Sequence, residues 1–133
     1  MTTFVIPGPP VPKGRPRMVF KDRNGNPLAR PHAYTPKRTV DFEELVAWSA
    51  KAAGLKLDPE KRYTLTINFY LSAHRSDLDN LCKACLDGMQ RMGQDWDDSQ
   101  VDNLLIYTHS VRDASEEKTV VEVEERSGHG PTP

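Results

Sequence analysis

The sequence predicts an α+β fold: a single domain in which two helices pack against one mixed β-sheet, in the order β-α-β-α-β-β. Its 133 residues suit one hydrophobic core and leave no room for two. Apolar and polar residues alternate over Tyr63–Leu71, which is the period-two pattern of a strand with one buried face. Between Phe42 and Ala53, apolar and small residues instead recur with the 3.6-residue period of a helix.

The first part of the chain is predicted to hold one short strand and that helix. Thr2–Ile6 is the strand, and the prolines that follow it end the pairing. The helix is expected to begin at Thr35 and Pro36, with Thr35 as the N-cap and Pro36 in the first helical position. Gly54 is expected to end it, because glycine accepts the left-handed backbone that is common just past a helix.

The last part of the chain is predicted to add a second helix and two strands. The helix spans about Asp79 to Met92, and the strands are Leu104–Val111 and Lys118–Glu124. The VVEVE run in the last strand is typical of an edge strand, since charged residues protect exposed sheet edges. Residues 1–126 form the predicted domain, and residues 127–133, which lack core-forming side chains, are predicted to be a disordered tail.

The segment from residue 13 to residue 36 carries a strong positive charge. Together with Lys37 and Arg38, which directly follow it, this segment has eight basic residues and one acidic residue, a local net charge of +7. The segment is rich in proline, glycine and asparagine and has no hydrophobic period, so it is predicted to be a basic flexible loop. Such a loop either contacts DNA phosphates or is only solvated surface. The candidate DNA-binding residues are Lys13, Arg15, Arg17, Lys21 and Arg23, together with Arg75 farther along the chain.

Aspartate is dense in the segment that follows the best-defined strand. Seven aspartates and two basic residues lie in residues 77–102, a local net charge of −5. Asp77 and Asp79 are two residues apart at the predicted start of the second helix, so their carboxylates can point the same way. Lys83 follows Asp79 by one helical turn and shares its face.

A further pair, Asp97 and Asp98, lies in the turn after the second helix, where the chain is expected to fold back toward the helix start. Carboxylates from separate segments can hold Mg²⁺, which prefers oxygen ligands and keeps several waters. Together with a lysine, such a site can stabilise the charge that builds on a phosphate during hydrolysis. The alternative is structural: aspartates often cap helices, and Lys83 can form ordinary ion pairs with Asp79 and Asp87.

Two motifs in this region resemble those of the RusA family of Holliday junction resolvases. They are DLDNLCKACLD at residues 77–87 and WDDSQV at residues 96–101, in matching order and spacing. The PGPPVPKGRPR run at residues 7–17 and the YTP step at residues 34–36 resemble the phage branch of the same family.

This resemblance implies roles for individual residues. The metal-binding carboxylates that it implies are Asp77, Asp79 and Asp98, and the catalytic lysine is Lys83. The supporting positions of the motif are Asn80, Asp87 and Asp97.

The resemblance also implies an activity. The chain is expected to form a homodimer that resolves four-way DNA junctions by paired symmetric nicks, in DNA recombination and repair. Mg²⁺ is the expected cofactor, Mn²⁺ is expected to substitute for it, and no organic cofactor is expected. Two alternatives stay open: a metal-dependent nuclease acting on other branched DNA, and a non-catalytic junction-binding protein whose aspartates are structural.

The composition argues against several other classes of protein. No stretch approaches the roughly 18–20 consecutive apolar residues of a membrane span, so no membrane partner is expected. The N-terminus lacks the basic and apolar pattern of a secretory signal, and a cytoplasmic location is expected. The two cysteines, Cys82 and Cys85, lie inside a predicted helix and are expected to be small core residues rather than a zinc or redox pair.

Overall fold

The computed structural model describes residues 1–72 and 77–126, which form a four-stranded sheet, a separate two-stranded hairpin and two helices. Single turns of 3₁₀-helix at residues 98–100 and 114–116 precede the last two strands. The strands and helices are β1 (Thr2–Pro7), β2 (Arg17–Lys21), β3 (Pro27–Tyr34), α1 (Lys37–Ala52), β4 (Arg62–Leu71), α2 (Leu78–Gln90), β5 (Val101–Ser110) and β6 (Lys118–Arg126). The predicted tail at residues 127–133 lies outside the described residues.

The four-stranded sheet has the strand order β1-β6-β4-β5. β4 runs parallel to β5 and antiparallel to β6, and β6 is antiparallel to β1, so the sheet is mixed. These pairings confirm the predicted α+β class. The prediction that the last strand is an edge was wrong, because β6 lies between β1 and β4. The alternation in its sequence instead reflects a sheet with one buried face and one more exposed face, where Glu122 and Glu124 lie.

The hydrophobic core lies between the sheet and the two helices. Leu65, Ile67 and Phe69 of β4 are fully buried, and Val121 and Val123 of β6 are opposite or diagonal to them. The alternate residues of β4 are only partly buried, which gives the sheet its second, polar face. The apolar residues of the alternating pattern in β4 therefore lie on the side of the sheet where the helices pack.

The two cysteines belong to this core. Cys82 and Cys85 lie on the inner face of α2, and both are buried and unpaired as disulfides. Burial raises the pKa of both thiols, since a thiolate is poorly solvated in an apolar surrounding. The prediction that they are core residues is confirmed.

The segment predicted to be a flexible loop contains an antiparallel hairpin formed by β2 and β3. Its turn is ordered by Asp22, whose Oδ1 accepts the backbone N–H groups of Asn24 and Asn26, each at 2.9 Å. Gly25 takes the positive φ of +84° that this turn requires. The strands pair with each other and with no strand of the main sheet within residues 1–72 and 77–126. Because nearly all of the hairpin side chains are exposed, the sequence has no hydrophobic alternation there that could predict strands.

The ends of the helices follow local backbone chemistry. α1 begins one residue later than predicted: Pro36 is its N-cap, and no side chain caps it. It ends at Ala52, and Gly54 has a φ of +78°, as the helix-ending role of that glycine requires. Neither α1 nor α2, the two α-helices among the described residues, has the length and hydropathy needed to cross a membrane.

Gly88 lets α2 approach α1 closely. A Cβ atom at this position would lie 2.5 Å from the Cβ of Val46 and 3.0 Å from the backbone oxygen of Glu43. Both atoms belong to the packed inner side of α1, where Val46 is fully buried. A glycine is therefore required where the two helices touch.

We expect Gly88→Ala to lower the free energy of unfolding by about 1–3 kcal/mol, because the added methyl group forces the helices apart. Urea unfolding followed by circular dichroism measures this change. Glu44→Ala, at an exposed position on α1, is the control and should shift stability by no more than about 0.5 kcal/mol. Equal stabilities of Gly88→Ala and the wild-type chain would contradict the close contact.

Candidate active site

Asp77 and Asp79 lie at the N-terminus of α2, as the sequence predicted. Asp77 is the N-cap, and its Oδ1 accepts the backbone N–H of Asp79 at 2.9 Å. Both residues are exposed. The N-terminal end of a helix carries a partial positive charge, which attracts acidic side chains. The two acidic side chains therefore form an exposed anionic pair at this end of α2.

Lys83 lies one turn farther along α2 and is also exposed. The ion pairs found among residues 1–72 and 77–126 do not include it. The part of the structural alternative in which Lys83 pairs with Asp79 and Asp87 is therefore not realised. Asp87 contacts Lys13 instead, at 3.1 Å between the ammonium nitrogen and a carboxylate oxygen. The part in which an aspartate caps the helix is realised, because Asp77 caps α2.

Asp97 and Asp98 lie at the opposite end of α2. Asp97 caps the short 3₁₀-turn: its Oδ2 accepts the backbone N–H of Ser99 at 3.0 Å, and its Oδ1 accepts the Gln90 amide at 3.4 Å. The hydrogen bonds from Ser99 hold the pKa of the Asp97 carboxyl below its usual value. Asp98 is exposed beside it. Asp97 thus has a structural role at this turn, which leaves Asp98 with its side chain at the surface.

A single chain does not bring Asp98 to Asp77 and Asp79. α2 has 13 residues, a length of about 20 Å at roughly 1.5 Å per residue, and Asp98 follows its far end. The prediction that the turn folds back toward the helix start is wrong for one chain, because β5 begins there and runs parallel to β4. Within the described parts of the chain, no three acidic, histidine or cysteine side chains form a group that could hold a metal ion.

Gln100 fixes the turn that carries Asp98. Its side-chain amide donates to the backbone oxygens of Asp58 and Lys61, both at 2.8 Å, and its Oε1 accepts the backbone N–H of Asp97 at 2.9 Å. The side chain is buried although it is polar. Sequence reasoning did not single out Gln100, although it lies within the WDDSQV motif. It ties the Asp98 turn to the loop that precedes β4.

A network of charges links the start of the basic segment to both helices. The Lys13 ammonium lies 2.6 Å from a carboxylate oxygen of Glu43, whose other oxygen accepts the Arg91 guanidinium at 2.7 Å. Glu43 is only 2% exposed. Burial alone would lower the pKa of Lys13, but hydrogen bonds to Glu43 and Asp87 outweigh that effect and raise it. Lys13 was predicted to bind DNA, and in the structure its charge is used within the protein.

Sequence reasoning also missed Glu43 as a buried group. The available signal was its position, three residues before Val46 and seven before Ala50, both of which lie on the inner face of α1. An acidic residue on that face must meet a cation, since a buried unpaired carboxylate is costly.

The other basic candidates lie on the surface. Arg15 and Arg17 line a cleft of about 440 Å³ together with Arg38, which lies in the first turn of α1. Lys21 and Arg23 are exposed at the far end of the hairpin. The backbone N–H of Lys13 donates to the backbone oxygen of Asn80 at 2.9 Å, so this basic segment begins directly beside the N-terminus of α2. Arg75 lies outside the described residues.

We expect Lys13→Met to lower the free energy of unfolding by about 1–3 kcal/mol, because it leaves the buried Glu43 carboxylate with one cation fewer. Urea unfolding at pH 7 measures the change. Lys21→Met removes the same charge from an exposed strand position and should leave stability within about 0.5 kcal/mol of the wild-type value. If the two variants lose equal stability, the Lys13 ion pairs are not structural.

The comparison with known families adds a second line of evidence. The family model for the endodeoxyribonuclease RusA matches residues 7–124, which is most of the 133-residue chain. The matched range includes the hairpin, both ends of α2 and the Asp98 turn. A search of curated proteins found no match.

Proposed function

Because the chain belongs to the RusA endodeoxyribonuclease family, whose members resolve Holliday junctions, we propose that it cuts four-way DNA junctions by paired symmetric nicks. The reaction would use Mg²⁺ and would serve DNA recombination and repair. A homodimer suits this substrate, since a two-fold axis presents two equivalent sites to opposing strands. The two free cysteines fit a cytoplasmic location.

DNA is proposed to be cut at the N-terminus of α2, which is called the cutting end below. Mg²⁺ in such enzymes is commonly held by one or two carboxylates, several waters and a substrate phosphate. Asp77 and Asp79 fit as the two carboxylates, because both are exposed and anionic and begin the same helix. When bound, the ion would polarise the scissile phosphate and favour attack by water. Mn²⁺ would substitute, since it accepts the same oxygen ligands.

Phosphodiester hydrolysis also needs a cation that is not already paired. In the reaction, an oxygen of water bonds to phosphorus, the bond from phosphorus to one sugar oxygen breaks, and a proton passes to that leaving oxygen. Negative charge grows on the phosphoryl oxygens meanwhile. Lys83 suits the stabilisation of this charge, because it is exposed one turn from Asp79 and absent from the ion pairs of the described residues.

The observation that carries the proposal is the contact between the basic segment and the start of α2. The hydrogen bond from Lys13 N–H to the Asn80 oxygen sets a positive surface beside a negative pair. Arg15, Arg17 and Arg38 would bind backbone phosphates there, which positions DNA without reading its sequence. The exposed hairpin begins at Arg17 and is a two-stranded ribbon, a shape that the major groove of DNA admits.

A cleavage assay tests the function directly. The purified chain is incubated with a four-way junction, a flap and a linear duplex that share one sequence, in Mg²⁺, in Mn²⁺ and in EDTA. We expect paired nicks in the junction with either cation and none in EDTA. Equal cutting of the flap or the linear duplex would favour a nuclease of broader specificity, and junction binding without any cutting would favour a non-catalytic binding protein.

We expect Asp79→Asn to lower the rate of junction cleavage by at least about 100-fold while junction binding persists, because one carboxylate of the cutting end is lost and the basic surface is unchanged. Single-turnover cleavage and gel-shift measurements read the two effects separately. Asp95→Asn makes the same chemical change at an exposed position beyond α2 and should leave both unchanged. Full activity in Asp79→Asn would remove this residue from the site.

We expect the double variant Arg15→Gln/Arg17→Gln to bind the junction more weakly and with a shallower salt dependence. Each lost phosphate contact should reduce the slope of log K against log salt by about 1. Junction affinity measured from low to physiological salt gives this slope. Lys56→Gln, which removes an exposed positive charge from the loop after α1, is the control and should keep the wild-type slope.

A further inference from the structure

Trp48 on α1 is the most exposed aromatic side chain in the parts of the chain that the structure describes. It is 71% exposed, whereas Trp96, the other tryptophan, is 7% exposed. Leu45, one turn earlier on the same helix, is 37% exposed. Burial of an aromatic side chain is among the larger apolar gains in folding, and tryptophan is enriched where proteins bind other molecules. An exposed tryptophan with an apolar neighbour is therefore typical of a binding surface.

Two cations lie beside the indole ring. Trp48 lines a cleft of about 270 Å³ together with Lys51 and Arg91. Lys51 is one turn after Trp48 and is exposed. Arg91 is held in place, because its Nε lies 2.7 Å from a carboxylate oxygen of the buried Glu43, while 40% of its side chain stays exposed. The cleft thus combines a flat aromatic side chain with two positive charges, one of which is fixed.

We propose that this cleft binds an unpaired nucleotide of single-stranded DNA, with its base stacked on Trp48 and its phosphate held by Lys51 and Arg91. The inference rests on the proposed function, which makes DNA the ligand, and it adds a site on α1 to the surface already described. Stacking on a side chain requires a base whose flat face is free. Bases inside a duplex stack on each other, so the site takes its base from a single strand, a gap or the open centre of a junction.

A continuous surface leads from the basic cleft to Trp48. Arg38 lines that cleft with Arg15 and Arg17. It also lines a neighbouring cleft of about 430 Å³, which extends along α1 to Leu45. Leu45 lies three residues before Trp48, and the helix rises about 15 Å between Arg38 and Trp48. A strand whose phosphates contact the arginines can therefore reach the indole ring within a few nucleotides.

The charges of the cleft favour a nucleotide over a protein segment. A protein that covered Trp48 would also cover Lys51 and Arg91, and it would have to supply anionic partners for both cations. A nucleotide carries a flat ring and an anionic phosphate in one unit. Arginine suits phosphate because its guanidinium offers several N–H donors, and the contact of Arg91 with Glu43 uses Nε. Glu44 is the acidic residue that lines the cleft, and the two cations outnumber it.

Tryptophan fluorescence tests the site in the intact chain. A short single-stranded oligothymidylate is added in EDTA, which prevents metal-dependent cutting, and an abasic strand of equal length and charge is the matched ligand. We expect the oligothymidylate to quench the emission of Trp48 and the abasic strand to leave it unchanged, because only the first has bases to stack. In Trp48→Phe only the buried Trp96 emits, and its emission should respond to neither strand. Equal quenching by both strands, or none by either, would overturn the inference.

Substitutions at Trp48 separate stacking from ordinary apolar contact. Affinity for a labelled oligothymidylate is measured by fluorescence anisotropy, and circular dichroism verifies that each variant is folded. Trp48→Tyr keeps an aromatic face and should retain most of the affinity, whereas Trp48→Leu should weaken binding by roughly 5- to 100-fold. Val5→Ala truncates an apolar side chain on β1 that is 49% exposed, and it should bind as the wild-type chain does. Equal affinities of Trp48→Leu and the wild-type chain would refute stacking.

The result for this site is independent of the result for the proposed function. Oligothymidylate binding is measured without cutting, so a chain that cuts no junction can still show quenching that depends on bases. Junction cutting without quenching of Trp48 would overturn this inference and leave the proposed function in place. Emission of Trp48 that changes with protein concentration, and not with oligothymidylate, would mean that a second copy of the chain covers the ring, which also overturns it.

Discussion

The parallel pairing of β4 with β5 constrains every functional feature at the ends of α2. Parallel neighbours in a sheet require a crossover connection, and here that connection contains α2. The helix must carry the chain from the end of β4 back to the beginning of β5. Because a helix is rigid, the acidic residues at its start stay far from Asp98 beyond its end, and no rotation of side chains brings them together. Adjacency along a motif therefore does not mean adjacency within one folded chain.

Buried charge sets the position of the N-terminal segment relative to the helices. The carboxylate of Glu43 lies between α1 and α2, where Gly88 allows the two backbones to come close. Its cationic partners come from two distant parts of the chain, Lys13 before the hairpin and Arg91 after α2. Together with the hydrogen bond from Lys13 N–H to the Asn80 backbone oxygen, these contacts hold the segment before the hairpin against α2. The basic surface is thus attached to the proposed cutting end through polar interactions rather than through the sheet.

Elements with one buried face were predictable from the sequence, and elements with exposed side chains were not. The bounds of β4 were predicted to within one residue, because one face of the strand is buried and the other is polar. The hairpin was missed because it buries neither face, so no hydrophobic period marks it. The start of α2 was predicted to within one residue, at Asp79, where the structure has Leu78. The location of Asp98 was not predicted, since only the direction of β5 beside β4 determines it.

The inward orientation of the two cysteines has a practical consequence for measuring the motion of the hairpin. Because burial raises the pKa of both thiols, neither is readily available to alkylating reagents at neutral pH. A cysteine introduced at the exposed turn near Gly25 would therefore be labelled selectively in the folded chain, with the native sequence otherwise intact. Fluorophores attached at that turn would report the distance between the two hairpins of the proposed homodimer, with and without a bound nucleic acid.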